Sequence, residues 1–152
     1  MTTDLHLLIE QLHALNDPAL PKESRLNNMI AALYWSDDQI SWAGIYKTDP
    51  TNGNAWLSSF QGKPACMLIQ AHHGVIGSCL DQKKTMVVSN VHEFPGHIAC
   101  DAASKSEIVI PLYNKETMTA VLDLDSDVYA HFDHWSTEDI ESIQHLFENV
   151  MD

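Results

Sequence analysis

The amino-acid sequence predicts an α+β domain in which about six mostly antiparallel strands are flanked by helices at both ends. Apolar residues recur at helical spacing near the N-terminus and again after Ser136, while the stretch between them breaks into short β-branched and aromatic runs. Turn-forming residues separate several of those runs by distances suited to hairpins, which makes neighbouring strands antiparallel. No repeat, linker or low-complexity tract interrupts the pattern, so residues 1–152 are expected to form a single domain.

Leu5, Leu8, Ile9, Leu12 and Leu15 mark the first helix, and Leu26, Met29, Ile30, Leu33 and Tyr34 the second. Asn16-Asp17-Pro18 and Pro21 break the chain between them. ISWAGIY at 40–46 and AWLSSF at 55–60 read as a hairpin across the turn-rich KTDPTNGN. A short apolar piece, Met67 to Ile69, leads to Gly74 and Gly77, which mark a tight entry into a short helix before the strand Met86 to Val88. Ser89 to Ser106 has no period; a loop of that length in a compact domain is usually functional or disordered. Glu107 to Leu112 and Thr119 to Ser126 form a second hairpin around Asn114-Lys115-Glu116. Ser136 opens the last helix with a Ser-x-x-Asp cap, and Ile140, Ile143, Phe147 and Val150 form its apolar stripe.

A formal net charge of −13, from 21 acidic and 8 basic residues, repels a phosphate backbone over most of the surface and argues against nucleic acid as a partner. No apolar run approaches the ~20 residues that span a bilayer. The N-terminus MTTDLHLLIEQLHAL is an acidic amphipathic helix rather than a basic signal peptide, so a cytoplasmic protein without membrane contact is expected. Cys66, Cys79 and Cys100 make an odd number, which argues against a secreted disulfide framework and leaves catalysis, metal binding or packing.

Within AVLDLDS at 120–126, Ala120, Leu122 and Leu124 share one face while Val121, Asp123 and Asp125 share the other. Two readings stand side by side. In one, the strand is half-exposed and shows its polar face to water. In the other, the carboxylates stand ~6–7 Å apart, since each residue advances ~3.3 Å, and wall a site for a cation or share a proton. Glu107, on the neighbouring strand of the predicted hairpin, is placed to supply a third acid.

Cys100 lies in NVHEFPGHIACDAASKS, among small and polar residues, where an idle cysteine is more often found in a core. Gly96, Ala99, Ala102, Ala103 and Ser104 let backbone N–H groups converge on an anion there. Carboxylates near a thiol disfavour the thiolate, so a reactive Cys100 needs a donor-rich loop or a substrate bearing positive charge. His97 is either a charge partner for Cys100 or a surface histidine. His92, His97 and Cys100 lack an evident fourth ligand and match no common zinc spacing, so no metal is expected. Trp42 and Tyr46 share one strand face as core or as pocket wall, and His131 and His134 read as solvated loop residues.

Together, SWAGIY at 41–46, FQGKPAC at 60–66, GVIG at 74–77, GHIACDAASKSEIVIPL at 96–112 and VLDLDS at 121–126 resemble the free methionine-(R)-sulfoxide reductases, which are stand-alone GAF domains. The resemblance runs from about residue 24 to the C-terminus, and its most specific element is GHIACDAAS followed by SE. It implies a GAF-like fold and reduction of free methionine (R)-sulfoxide, with no bound cofactor, thioredoxin as external reductant and a plausible homodimer. By resemblance Cys100 attacks the sulfoxide sulfur and becomes a sulfenic acid, which Cys66 resolves as a disulfide. Glu107, Asp123 and Asp125 match the acids that bind and polarise the substrate, with Glu107 and Asp125 expected to take part in the chemistry. Trp42 and Tyr46 match the aromatic pocket around the substrate methyl group. One departure concerns the third cysteine that many members carry within the Gly-x-x-Gly turn: Ile76 stands there, and Cys79 follows three residues later as an accessory thiol or a small buried residue. The alternative function is a GAF binding module that senses a small molecule or redox state without catalysis.

Overall fold

A computed structural model describes residues 4–97, 100 and 103–151. The chain runs α1 (Leu5–Leu15), α2 (Lys22–Trp35), β1 (Ile40–Thr48), β2 (Ala55–Gly62), β3 (Leu68–Ile69), α3 (Gly74–Gln82), β4 (Met86–Val88), β5 (Ser106–Asn114), β6 (Thr117–Ser126) and α4 (Thr137–Met151). The strands form one six-stranded sheet in the order β3-β2-β1-β6-β5-β4. Each pairing is antiparallel. The expected elements are present, each within a few residues of its anticipated bounds, and the long loop before β5 adds one 3-10 turn at Val91–Glu93.

Side-chain alternation divides the sheet into two unlike faces. On one face Ala120, Leu122 and Leu124 of β6, Ile108 and Ile110 of β5, and Ala43 and Ile45 of β1 meet the stripes of α1, α2 and α4. The predicted stripe of α4 is the buried one, and Phe147 at its centre is fully enclosed. Truncating such a residue to Ala costs about 3–5 kcal/mol. Ile40 joins this core although strict alternation would set it on the side of Trp42. A register irregularity between Ile40 and Trp42 in the β1–β6 pairing turns it over.

Local signals close the helices. The Asp4 side chain accepts from Leu7 N–H at 3.2 Å to start α1, and Ser136 Oγ accepts from Asp139 N–H at 3.1 Å to start α4. Among the described residues no helix is long and apolar enough to cross a membrane.

The second face holds Trp42 and Tyr46 of β1, Val109 of β5 and Val121 of β6 under α3 and the loop before β5. This cover corrects the water-facing reading of the acidic strand, since Asp123 is buried and Asp125 half-buried. His131 is also corrected: it is buried, with Nε2 3.0 Å from Oδ2 of the equally enclosed Asp37. Its neighbours Phe132 and Trp135 enter the helix-side core and carry the intervening backbone inward, whereas His134 stays exposed.

Candidate active site

The three central strands bring the acids together by register. Asp125 of β6 lies opposite Trp42 of β1 on one side and Glu107 of β5 on the other. One step along, Asp123 lies between Gly44 and Val109. Carboxylate oxygens of Glu107, Asp123 and Asp125 all come within 4.8 Å of one another. The side chains therefore converge more closely than the backbone spacing of ~6–7 Å along the strand.

Burial governs their protonation. It pushes Asp123 well above the ordinary carboxylate range, with the charges of Asp125 and Glu107 adding to the rise. It also raises Glu107, against which hydrogen bonds with Asp123 and Asp125 and the nearby charge of His97 act. The Asp123–Glu107 pair thus holds a proton under conditions where exposed carboxyls have lost theirs. Asp123 Oδ1 is buried with no hydrogen-bond partner among the described residues, an arrangement costly unless a ligand supplies the missing donor. The three acids are the one group among the described residues with spacing for a metal ion. As an all-oxygen set they suit a hard metal cation or an organic ammonium alike.

Cys100 lines the same cavity as the acids and is joined to Cys66 by a disulfide, with Cα atoms 5.5 Å apart. Two aromatic side chains of β1 hold the segment leading to Cys66. Trp42 Nε1–H donates to the Lys63 carbonyl at 3.1 Å, and the Tyr46 hydroxyl donates to the Cys66 carbonyl at 2.7 Å. Burial and the three acidic charges raise the Tyr46 phenol, which keeps its donor proton.

The Trp42 indole is stacked on Phe60 at 5.4 Å and 17°. A Cβ on Gly44 would stand 2.5 Å from both Trp42 Cη2 and Phe60 Cβ. Only glycine leaves room for this stack. Gly62, at φ +126°, passes the Trp42 ring from the other side. Both glycines sit within the motifs SWAGIY and FQGK, but their service to Trp42 becomes visible only across the β1–β2 register.

The cavity is also lined by Gly74, Val75 and Ile76 in the first turn of α3, whose N-terminus no side chain caps. The first turn, with its uncapped N–H groups and the positive end of the helix dipole, thus borders the same cavity as the acids. The free volume is about 60 Å³, and one water needs ~10–15 Å³ on this measure, so the site suits a small molecule. His97 and Ser104 line it as well, so His97 is a pocket residue rather than a surface one. Ala99 and Ala102, expected to contribute N–H groups, lie outside the described residues.

Cys79 stands apart from this chemistry. It lies in the second turn of α3, is fully buried, and has its thiol pushed up to about 12 by burial and the charge of Glu107. Its Sγ approaches the Val109 carbonyl at 3.8 Å.

A family model for the GAF domain matches residues 25–151. The free methionine-R-sulfoxide reductase of Escherichia coli is 39% identical over 126 residues, covering 83% of this chain and 75% of that protein. The enzyme of the same description from Saccharomyces cerevisiae is 43% identical over 109 residues, covering 70% of this chain and 61% of its own length. Among solved structures, the fRMsr of Staphylococcus aureus in complex with substrate matches with a TM-score of 0.89 at 38% identity, covering 100% of this chain and 98% of that one. The free methionine-R-sulfoxide reductase of Neisseria meningitidis with its substrate matches with a TM-score of 0.82 at 31% identity, covering 96% and 84%. The central sheet with its buried acid cluster, the cysteine pair and these likenesses agree, and the chain belongs to the GAF-domain proteins and, among them, to the free methionine-R-sulfoxide reductase family.

Proposed function

We propose that the protein reduces free methionine-(R)-sulfoxide to methionine. The observation that carries this reading is the buried Oδ1 of Asp123, with no hydrogen-bond partner among the described residues, in an acid cluster that shares a small cavity with disulfide-bonded Cys100. A free amino acid brings an ammonium group to satisfy that oxygen and offset the buried charge. Its carboxylate suits the uncapped first turn of α3. Trp42 and Tyr46 supply the apolar wall for the thioether end.

In the reduced protein the Cys100 sulfur attacks the sulfoxide sulfur. The proton held between Asp123 and Glu107 passes to the sulfoxide oxygen, which makes the sulfur more electrophilic. Oxygen transfers to Cys100 and the proton its thiol gives up replaces the one lost by the acid pair, leaving methionine and a cysteine sulfenic acid, so the substrate gains the two electrons that Cys100 loses. The Cys66 thiol then attacks the sulfenic sulfur, water departs, and the disulfide forms. Thioredoxin is the proposed reductant that returns both thiols. A non-catalytic sensor would have less need for two cysteines close enough to bond beside the acids.

A thioredoxin-coupled assay on the free (R) and (S) sulfoxides and the N-acetylated (R) form tests the proposal. Turnover is expected with the free (R) form, with little from the (S) form and poor rates once the ammonium is blocked. Equal rates for free and N-acetylated substrates would remove the acids from ammonium recognition, and no turnover of the free (R) form would overturn the activity.

A further inference from the structure

The acidic residues are unevenly distributed. Between Asp49 and Asp81 the chain carries no Asp or Glu, although 21 of its 152 residues are acidic. Lys63 is the only fixed charge in that stretch, which builds β2, β3 and the start of α3. β3 is the terminal strand of the sheet and only two residues long.

This same edge carries exposed apolar side chains. Met67, Leu68 and Trp56 are 78%, 55% and 40% exposed. Trp56 and Leu68 are direct cross-strand partners, so their side chains lie on the same side of the sheet. Met67 follows Cys66 in the chain. Isolated surface apolar residues need no explanation, but a cluster at a sheet edge beside a redox-active bond marks a contact surface. Cys100 lines the cavity, whereas the half-buried Cys66 does not; it follows the wall residues Lys63, Pro64 and Ala65 and leads directly into exposed Met67.

We infer that the β3 edge, with Met67, Leu68 and Trp56, is the docking surface for an acidic protein dithiol that reduces the disulfide through Cys66. The inference rests on the proposed function, which requires that disulfide to be reduced in every cycle. Charge selects the partner. A basic protein would be drawn to the acidic remainder of the surface, away from Cys66, whereas an acidic one meets no carboxylate of residues 50–80 along this edge. The partner's thiolate attacks Cys66 Sγ, the Cys66–Cys100 bond breaks, and Cys100 leaves as a thiolate that takes a proton. The partner's second thiol then attacks the mixed disulfide and releases Cys66. The partner departs as a disulfide, having given up two electrons.

The test starts from fully oxidised protein and needs no sulfoxide. Reduction of the Cys66–Cys100 disulfide is followed by alkylation and mass spectrometry, with reduced thioredoxin as the protein probe and dithiothreitol as the small one. In Met67→Glu and Leu68→Glu the second-order rate constant with thioredoxin is expected to fall roughly ten-fold, the effect of losing about 1.4 kcal/mol of encounter affinity. It should fall less in Met67→Lys, and rates with dithiothreitol should stay within about two-fold of the parent, well short of such an energetic step. A thioredoxin lacking its second thiol should be trapped on Cys66. Unchanged thioredoxin rates, an equal loss with dithiothreitol, or trapping on Cys100 would each overturn the proposal, and an equal loss in Met67→Lys would remove its charge component. Failure of the reductase reading would show separately, as absent methionine formation by reduced parent protein.

Discussion

The Tyr46 hydroxyl donates to the carbonyl of Cys66 at 2.7 Å, tying the central strand β1 to a cysteine twenty residues later in the chain. The bond fixes the backbone that carries one half of the redox pair. In Tyr46→Phe that carbonyl loses its partner, at a cost of about 1 kcal/mol. Formation of the disulfide should then slow more than attack on the sulfoxide, so that a Cys100 sulfenic acid accumulates to a level detectable by a sulfenic-acid probe. An unchanged rate of disulfide formation would show that Cys66 needs no such tether.

Cysteine replacements should separate three roles. Cys100→Ser is expected to abolish turnover, and Cys66→Ser to release one equivalent of methionine and then stall with thioredoxin. Cys79→Ser should retain most activity, because the thiol is buried and kept protonated by its surroundings. Quantifying methionine per protein chain distinguishes the three, and a large loss in Cys79→Ser would make it part of the recycling path.

The acid cluster should trade stability for binding. Asp123 and Glu107 have folded-state pKa values raised by burial. Their penalty is absent at low pH, where both folded and unfolded states are protonated, and grows as pH rises through the raised values. The Tm of the parent, followed where acid unfolding of other carboxylates is not yet under way, should therefore fall toward alkaline pH. Asp123→Asn should flatten that slope and raise the alkaline Tm by about 2–4 °C per kcal/mol regained, while losing activity. A steeper slope in Asp123→Asn would contradict the burial argument.

The His131–Asp37 contact predicts a structural lesion remote from the cavity. His131→Ala removes the Nε2 contact from the enclosed Asp37 carboxylate, which still accepts from Gln39 N–H at 2.9 Å, so a loss of about 1–3 kcal/mol is expected. Thermal unfolding should report the loss. A change well below about 1 kcal/mol, the scale of exposed pairs, would mean that this buried contact contributes nothing to stability.

Most of the architecture was legible because it is written in local periodicity. The stripes of α1, α2 and α4 and the alternation of β6 each specify which side chains share a face, and burial follows from hydrophobicity. The gathering of Asp123 and Asp125 on one face was likewise readable from a period of two. The motifs around Cys66 and Cys100 pointed to the family, which no periodicity could have done.

What the sequence by itself determined was the set of elements, the apolar face of each, and the chemistry that the face opposite the helices has to offer. Tertiary structure alone decided that this face is covered rather than wet. α3 and the loop before β5 close over it, turning a polar strand into a buried acid cluster with raised proton affinity. It also decided that Gly44 and Gly62 make room for Trp42 and that His131 is enclosed beside Asp37, whereas the pairing of Cys66 with Cys100 was already expected from the motifs. The physical reason is common to all that the tertiary structure decided. Register, desolvation and close packing arise between segments distant in the chain, and a local pattern carries no record of which distant neighbour will arrive.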